Sequence, residues 1–409
     1  MLLMFAMDSD SPRRFGLRFV PQRSAATEPP SWLFWLFLAL AIAFELALVW
    51  LIMPLPGSQR MASLEWAYVF HRQRWRLRTL LWAIVFTGAY HELRRPGRRR
   101  LAAAAGLAAA GATAYVTNFV MAADAMFKVP TVLSMRGVAE NLVPLDRLVV
   151  GIEVRGEARA YPLMFIGYHH QVPDMVGGEP VLVTYCTVCR TGRVFSPMVN
   201  GRAESFRLVG MDHWNAMLED ATTKSWWRQA NGEAVAGALK GYTLTEVTSL
   251  QVTLAEWLAL HPTSLVMQGD PDFTKEYAKD YAFEKGTSRK ALTGTDTTSW
   301  GEKSWVVGIL MDSHAVAFDW NRLKRERVIN AVVGRVPIVL ALATDTASYY
   351  AYIRPDSALT FTIRGDTLVS ARFSFPVNGG GSALRPPRIP ASQEFWHSWR
   401  TFQPGTSRY

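Results

Sequence analysis

The feature that most limits the fold of this 409-residue chain is an almost unbroken apolar run over residues 32–53. A run of this length crosses about 30 Å of hydrocarbon as a helix. A second run, residues 101–122, has a similar length and is rich in alanine and glycine, which suits close packing between helices. We therefore predict a membrane anchor over residues 31–122, preceded by an N-terminal tail over residues 1–30. Because an ionised group is costly in lipid, Glu45 in the first span is expected to face the other helices or the lumenal end of the span.

The segment between the two runs contains a shorter apolar stretch, residues 79–90, with arginines on both sides. It is too short for a straight crossing and has the length of a re-entrant or interfacial helix. The sequence thus favours two spans, with residues 79–90 as a third segment in the alternative.

Arginine is concentrated in the first 122 residues, which hold 14 Arg, no Lys and 6 acidic residues. Positive residues accumulate in the cytoplasmic loops of membrane proteins. With two spans, the loop over residues 54–100 has 10 Arg and the tail has 4. With three spans, the tail and residues 94–100 lie on one side with 9 Arg, and the first loop, residues 54–78, lies on the other with 5. Both counts place the region after Ala122 outside the cytoplasm, in the periplasm where the envelope has one. The basic charge therefore indicates contact with membrane lipid and argues against nucleic-acid binding.

The region after the anchor carries one pattern twice. Val-Val-Gly-Ile at residues 149–152 recurs 157 residues later at residues 306–309, and further identities follow at the same offset. Trp257 recurs as Trp399 at an offset of 142. The pattern predicts an internal duplication, with a first repeat over residues 123–272, a linker over residues 273–303 and a second repeat over residues 304–409.

Each copy has mainly the signature of strands. Residues 148–154, 158–163 and 180–185 are short apolar or β-branched runs separated by turn residues. Helical patterns are confined mainly to residues 254–260 and 394–401. The sequence therefore predicts a β-rich α+β fold, in which N-terminal transmembrane helices precede a two-lobed, duplicated soluble region.

The chain has two cysteines, Cys186 and Cys189, in a Cys-x-x-Cys arrangement. The equivalent positions of the second copy are Ala343 and Thr346, so the first copy is predicted to be the working one and the second a scaffold. Thioredoxin-type pairs open a helix. This pair instead follows a strand and leads back into one, which predicts a turn with Gly192 available for a positive φ angle.

Three hypotheses fit two thiols in such a turn. The first is a thiophilic metal site for copper, with zinc as the alternative ion, and with His169 as third ligand and His170 or His213 as further candidates. The second is a thiol–disulfide oxidoreductase with Cys186 and Cys189 as catalytic thiols. The third is a structural disulfide, which forms readily outside the cytoplasm. The expected partner is an envelope protein or a metal donor or acceptor.

Residues 129–270 resemble the family called domain of unknown function 3179, and the resemblance extends over most of the soluble region. The matching residues include Gly156, Tyr161, His169, Pro180, Tyr185, Cys186, Cys189, Gly192, Gly210, Asn215, Asp220, Trp227, Gln229 and Trp257. The resemblance implies the family's fold and a site at the thiols, but no reaction. Asn215, Asp220, Trp227 and Gln229 fit two interpretations: they line a pocket around that site, or their tryptophan-rich strand edges cap the β-core.

The chain departs from the family's pattern at four positions near the site. The family usually has Pro-Leu at residues 187–188, glycine at position 190 and an acidic residue at position 170. This chain has Thr187, Val188, Arg190 and His170. The thiols and His169 are unchanged.

Overall fold

A computed structural model describes residues 30–60 and 63–409. The predicted tail, apart from Pro30, lies outside the described residues. The helices are α1 Ser31–Ile52, α2 Leu64–Leu93, α3 Arg98–Tyr115, α4 Ala123–Met126, α5 Leu163–His169, α6 Leu254–Leu260, α7 Trp320–Glu326 and α8 Trp396–Phe402. A π-helical turn, Val116–Val120, continues α3, and 3₁₀ turns occur at Val138–Glu140 and Pro271–Phe273.

Twenty-five strands follow the anchor in the described part of the chain. They are β1 Met135–Arg136, β2 Leu148–Val154, β3 Glu157–Pro162, β4 Gln171–Val176, β5 Glu179–Cys186, β6 Thr191–Phe195, β7 Met198–Val199, β8 Arg202–Ala203, β9 Phe206–Asp212, β10 Asn215–Asp220, β11 Trp226–Arg228, β12 Ala234–Ala236, β13 Ser249–Thr253, β14 Leu265–Met267, β15 Trp305–Met311, β16 His314–Asp319, β17 Val328–Val333, β18 Val336–Leu342, β19 Tyr349–Ile353, β20 Thr362–Arg364, β21 Thr367–Val369, β22 Ser374–Pro376, β23 Arg388–Ile389, β24 Ser392–Phe395 and β25 Ser407–Arg408. The predicted β-rich α+β class is confirmed.

Two of the helices, Ser31–Ile52 and Arg98–Val120, are long and apolar enough to cross a membrane. Small residues let them approach their neighbours, since a Cβ at Gly106 would lie 2.7 Å from the Leu38 side chain. Glu45 is buried and faces the other helices, because Arg78 of α2 binds both of its carboxylate oxygens at 2.6 and 2.8 Å.

The short stretch at residues 79–90 is not a separate interfacial helix but the second half of α2, which runs for 30 residues. Its first half is polar and arginine-rich, so hydropathy alone did not predict the continuous helix. That half is ordered by packing, because Tyr68 and His71 lie edge-on against the Trp226 ring of β11, with centroids 5.1 and 5.3 Å away.

The first half of the soluble region is built from three main sheets. A five-stranded sheet has the order β1-β14-β3-β2-β13, a three-stranded sheet the order β4-β5-β6, and a four-stranded sheet the order β12-β11-β10-β9. The second half has two four-stranded sheets, β24-β15-β16-β25 and β17-β18-β19-β23, and a small sheet β20-β21-β22. Short helices α5 and α7, which hydrophobic periodicity did not predict, connect the sheets within each half.

Both halves follow the same order of elements: β2-β3-α5-β4-β5-β6 in the first and β15-β16-α7-β17-β18-β19 in the second. In both halves, a close contact with a tryptophan ring explains the glycine of the recurring Val-Val-Gly-Ile motif. A Cβ at Gly151 would lie 2.3 Å from the Trp257 ring, and a Cβ at Gly308 would lie 2.2 Å from the Trp399 ring. Each tryptophan therefore occupies space that only a glycine leaves free.

One hydrophobic core joins the helix ends to the sheet β9–β12 and contains both cysteines. Ile52, at the end of α1, lies so close to β9 that a Cβ at Gly210 would be 2.6 Å from its carbonyl oxygen. The N-terminal helices are thus packed directly against the part of the fold that carries the thiols.

Candidate functional site

Cys186 is the last residue of β5, and Cys189 lies in the turn that leads to β6. Both are free thiols and are fully buried. The left-handed residue of the turn is Arg190, with φ 57°, and not Gly192 as predicted. The position where the family pattern usually has glycine is therefore the one with positive φ. Gly192 instead lies in β6, where a Cβ would be 3.0 Å from Val150.

Both sulfur atoms converge on one backbone carbonyl. The oxygen of Trp214 lies 3.6 Å from Cys186 Sγ and 3.3 Å from Cys189 Sγ. Trp214 and His213 form the two-residue turn between β9 and β10, with φ angles of 62° and 50°. A residue with a side chain loses about 1–2 kcal/mol in this left-handed conformation, so the turn over the sulfurs is strained.

Contacts from both sides hold this turn in place. Asp212 accepts hydrogen bonds from His213 Nδ1 at 2.6 Å and from Arg228 at 2.5 Å. The N–H of Trp214 donates to Gln59 Oε1 at 3.3 Å, which ties the turn to the connection between α1 and α2. The carbonyl at the sulfurs is therefore positioned partly by the connection between α1 and α2.

The two thiols differ in acidity. Burial opposes ionisation of Cys186, but hydrogen bonds from the Cys189 thiol and from the backbone N–H groups of Ala216, Cys189 and Val188 outweigh it, so the pKa of Cys186 is lowered. The pKa of Cys189 is raised well above the ordinary thiol value, chiefly by burial. The hydrogen bond that Cys189 donates to Cys186 and the negative charge of Cys186 raise it further. The pair thus favours a Cys186 thiolate that accepts a hydrogen bond from the Cys189 thiol.

Two of the predicted pocket residues lie in a buried hydrogen-bond network at this site. Asn215 donates to Gln229 Oε1 at 2.9 Å and lies near enough to Cys189 to lower the pKa of that thiol against the larger effect of burial. Gln229 donates in turn to Thr184 Oγ1 at 3.0 Å and to the carbonyl of Thr191 at 2.9 Å. These bonds connect β10 to the β5–β6 hairpin and so fix the polar group that faces Cys189.

The second half of the chain contributes to the site through the start of α8, a helix that the sequence predicts but does not connect with the thiols. Ser398 donates to Glu394 Oε2 at 2.9 Å and lies near enough to Cys189 to lower the pKa of that thiol against the larger effect of burial. His397 Nε2 donates to the carbonyl of Val188 at 3.0 Å, and its ring lies edge-on to Trp214 with centroids 6.2 Å apart. The N–H of Phe395 donates to the carbonyl of Cys189 at 2.9 Å.

The other predicted site residues have different partners. Both ring nitrogens of His169 are engaged, Nδ1 with the carbonyl of Lys128 at 2.5 Å and Nε2 with the Tyr277 hydroxyl at 2.8 Å. His170 is buried and stacks on Phe127 with centroids 4.4 Å apart, and burial lowers its pKa to about 4. None of these hydrogen bonds or ring contacts involves a cysteine.

Asp220 and Trp227 are hydrogen-bonded to each other near the β10–β11 turn, at the opposite end of β10 from Asn215. Trp227 Nε1 donates to Asp220 Oδ2 at 2.9 Å, and Asp220 also accepts from the backbone N–H groups of Thr223 and Ser225. At about 3.3 Å per strand residue, Asp220 is roughly 16 Å along β10 from Asn215. These two residues therefore shape the β10–β11 turn.

Within residues 30–60 and 63–409, no group of three or more His, Cys, Asp or Glu side chains is arranged to hold a metal ion. The protein donors at the thiols are the two sulfurs and the Trp214 carbonyl. Such a set fits an ion of low coordination number but not zinc, which takes four ligands in structural sites.

The equivalent turn of the second half is built without thiols. Ala343 is buried beside β18, and Asp345 accepts hydrogen bonds from the N–H groups of Ala347 and Ser348 at 2.9 and 2.8 Å. Thr346 adopts the left-handed conformation, with φ 59°. A carboxylate thus organises the second turn.

Comparison with known proteins agrees with the resemblance of the sequence. The family model described as a protein of unknown function (DUF3179) matches residues 129–406, which is more than half of the chain. No curated protein and no solved structure was found to match it. The chain therefore belongs to the DUF3179 family.

Proposed function

We propose that this protein is a membrane-anchored thiol–disulfide oxidoreductase whose reactive pair is Cys186 and Cys189. Two observations support the proposal: both buried sulfurs lie in one strand-flanked turn and point at the Trp214 carbonyl, and the two thiol pKa values shift in opposite directions, downward for Cys186 and upward for Cys189. Such a pair has one thiolate ready to attack and one protonated thiol held in reserve. A pair that serves only as a structural bridge gains nothing from this asymmetry.

The reaction conserves atoms and charge. The Cys186 thiolate attacks a partner's disulfide, so that a bond forms between Cys186 and one partner sulfur while the other leaves as a thiolate. Cys189 gives its proton to that leaving group and attacks the Cys186 sulfur, which releases the second partner thiolate. The partner gains two electrons, and Cys186 and Cys189 become a disulfide; the reverse sequence oxidises a partner dithiol.

Access to the buried sulfurs requires movement of a part of their cover. The turn at His213 and Trp214 is the part of the cover where strain is stored, because both residues have positive φ. Releasing about 1–2 kcal/mol at each residue lowers the free energy needed to open this turn. The turn is also anchored by the contact of Trp214 with Gln59, so opening depends on the membrane-proximal segment.

The reduction potential of the full chain in detergent micelles tests the proposal. Equilibration with glutathione buffers is expected to give a two-electron potential above about −250 mV, and Cys186→Ser should remove the transition. Thr346→Ser, at the equivalent turn of the second half, is the matched control and should leave the potential unchanged. A potential below about −300 mV would indicate a structural bridge and contradict the proposal.

A second candidate function is binding of copper(I). The observation in its favour is that both sulfurs point at a single spot beside the Trp214 carbonyl, since two thiolates alone suffice for this soft ion. The same purified samples distinguish the two functions. One copper per chain that is lost in Cys186→Ser would favour the metal site, and metal-free protein with a measurable potential would favour redox catalysis.

We propose further that the helices form a membrane anchor with three crossings. The ends of α1 and α3 both lead to the soluble region: Ile52 lies against Gly210, and α4, which follows α3, packs on β9. If α1 and α3 cross in the same direction, the chain between them must return through α2, whose apolar second half packs beside α1: a Cβ at Gly88 would lie 3.0 Å from the Phe34 side chain. This proposal takes up the three-segment alternative of the sequence analysis, and the two apolar helices fit either topology.

The arginine count then assigns the orientation. The tail and residues 94–100 share one side with 9 Arg, against 5 in residues 54–78, so residues 123–409 lie outside the cytoplasm. Alkaline phosphatase fused after Arg60 or after Ala122 should be active, and a fusion after Pro96 should be inactive. An inactive fusion at Arg60 with an active one at Ala122 would support two crossings instead.

We infer that the two halves arose by duplication. The repeated order of elements and the placement of Trp257 over Gly151 and of Trp399 over Gly308 support this origin. The second copy then lost the thiols but kept a role at the site, because the N–H of Phe395 donates to the carbonyl of Cys189 at 2.9 Å.

A further inference from the structure

A cleft of about 660 Å³ lies between the two halves, close to the thiols but separate from them. Leu148 and Trp305, which are 157 residues apart and therefore equivalent in the two copies, both line it. Arg190, directly after Cys189, contributes to the floor of the cleft. Thr346, in the equivalent turn of the second half of the chain, also lines the cleft. Its volume falls within the roughly 300–1,000 Å³ of small-molecule sites.

The floor of the cleft contains a buried positive charge, Arg190, that forms no ion pair among the residues that the structure describes. Arg190 is fully buried and donates to Gln393 Oε1 at 3.0 Å and to the backbone carbonyls of Phe283 and Glu284 at 2.8 and 3.1 Å. Its guanidinium lies 3.6 Å from the centroid of the Trp305 ring. Dipoles and a π face therefore solvate this charge, and the carboxylate of Glu284, which is bound to Arg147, attracts both arginines.

Two lysines add positive charge to the lining. Lys285 lies over the Tyr281 ring at 4.3 Å, and neither Lys285 nor Lys324 has a carboxylate within ion-pair distance among the residues that the structure describes. Their ammonium groups retain N–H donors for a ligand.

The acidic residues of the cleft, by contrast, already receive donors from the protein. Glu284 is bound by Arg147 and by the N–H of Leu148, both at 2.7 Å. Asp146, Asp296 and Asp345 accept hydrogen bonds from neighbouring hydroxyl or backbone groups. Lys285 and Lys324, like Asp296 and Asp345, are exposed to solvent, whereas the charge of Arg190 is buried and acts at low dielectric. Among the charged side chains of the lining, Lys285 and Lys324 are the ones without a hydrogen-bond or ion-pair partner in the described part of the chain, so they are the groups free to bind a ligand.

We infer that this cleft binds a small organic anion, a carboxylate or a phosphate ester with an apolar body. Lys285 and Lys324 would meet the anionic group above the Arg190 charge, and Trp305 and Trp320 would contact the apolar body. The site is independent of thiol chemistry, because none of these contacts uses a cysteine.

Isosteric probes test the sign of the charge that the cleft recognises. Isothermal titration of the full chain in nanodiscs with benzoate, phenyl phosphate, benzamide and benzylammonium should show saturable binding of the two anions at one per chain. Loss of the charge in benzamide should weaken binding about tenfold, which corresponds to about 1.4 kcal/mol. Equal binding of benzoate and benzamide, preference for benzylammonium, or no saturable binding would overturn the inference.

Variants place the binding in this cleft. Lys324→Ala should weaken benzoate binding about fivefold, the size expected for one partly exposed charge pair, while Lys275→Ala, an exposed lysine outside the lining, should not. Equal affinities of these two variants would contradict the assignment. Cys186→Ser should bind benzoate like the unmodified chain, so a failure of the redox proposal and a failure of the anion site give different results.

Discussion

Removing the Cys189 thiol should raise the pKa of Cys186, because the hydrogen bond from Cys189 is the largest of the effects that favour the Cys186 thiolate. A hydrogen bond to a charged group is worth about 1.5–3 kcal/mol. At about 1.4 kcal/mol per pKa unit, Cys189→Ala should raise the pKa of Cys186 by about 1–2 units. Cys189→Ser keeps a hydroxyl donor in the same place, so its effect should be smaller.

The pKa can be measured from the ultraviolet absorbance of the thiolate as a function of pH, in the full reduced chain in micelles. This readout does not depend on how well a reagent reaches the buried sulfur. Each variant has a single cysteine, so the titration belongs to Cys186 alone. Identical titrations of Cys189→Ala and Cys189→Ser would refute the role given to the hydrogen bond. In the unmodified chain, the absence of any thiolate that forms below the ordinary thiol pKa would refute the asymmetry itself.

Two further predictions concern stability and pH. Gly151→Ala should lower the free energy of unfolding by at least about 1–3 kcal/mol, because the new methyl group overlaps the Trp257 ring, while Gly137→Ala, at an open position, should have little effect in the same denaturant titration. The carboxylate of Asp212 raises the pKa of His213 above 6.5, so the stability that this imidazolium contributes is fully present below pH 6.5 and is lost as the pH rises through the raised pKa. His213→Asn should therefore lower the melting temperature more at pH 6 than at pH 8.5, and equal losses at both pH values would exclude this ion pair as the cause.

Much of the fold was predictable because its signals are local in the chain. Runs of apolar residues predicted the cores of α1 and α3, and β-branched segments predicted β2 and β5 close to their observed ends. The context of the cysteines, strand before and strand after, predicted a turn, and that turn is present. Such patterns depend on neighbours within a few residues and need no knowledge of tertiary contacts.

The site was less predictable, because its partners come from distant parts of the chain. The backbone next to His169 pairs with β5, because the N–H of Tyr185 donates to the carbonyl of His170 at 3.0 Å. The His169 ring nevertheless bonds to Lys128 and Tyr277. Adjacency of backbones does not determine the direction of a side chain. Hydropathy likewise could not predict the polar half of α2, which is helical because it packs on the soluble region.

The apolar helices, the repeated Val-Val-Gly-Ile motif and the two thiols in a strand-flanked turn follow from local patterns of residues. Tertiary packing places both sulfurs at the Trp214 carbonyl, brings Phe395 from more than 200 residues away to the carbonyl of Cys189, and positions Arg190 under a cleft between the halves. The physical reason is that propensity and hydropathy act over a few residues. The pKa of a buried thiol and the charge of a cleft are instead set by whichever dipoles and ions packing brings within a few ångströms.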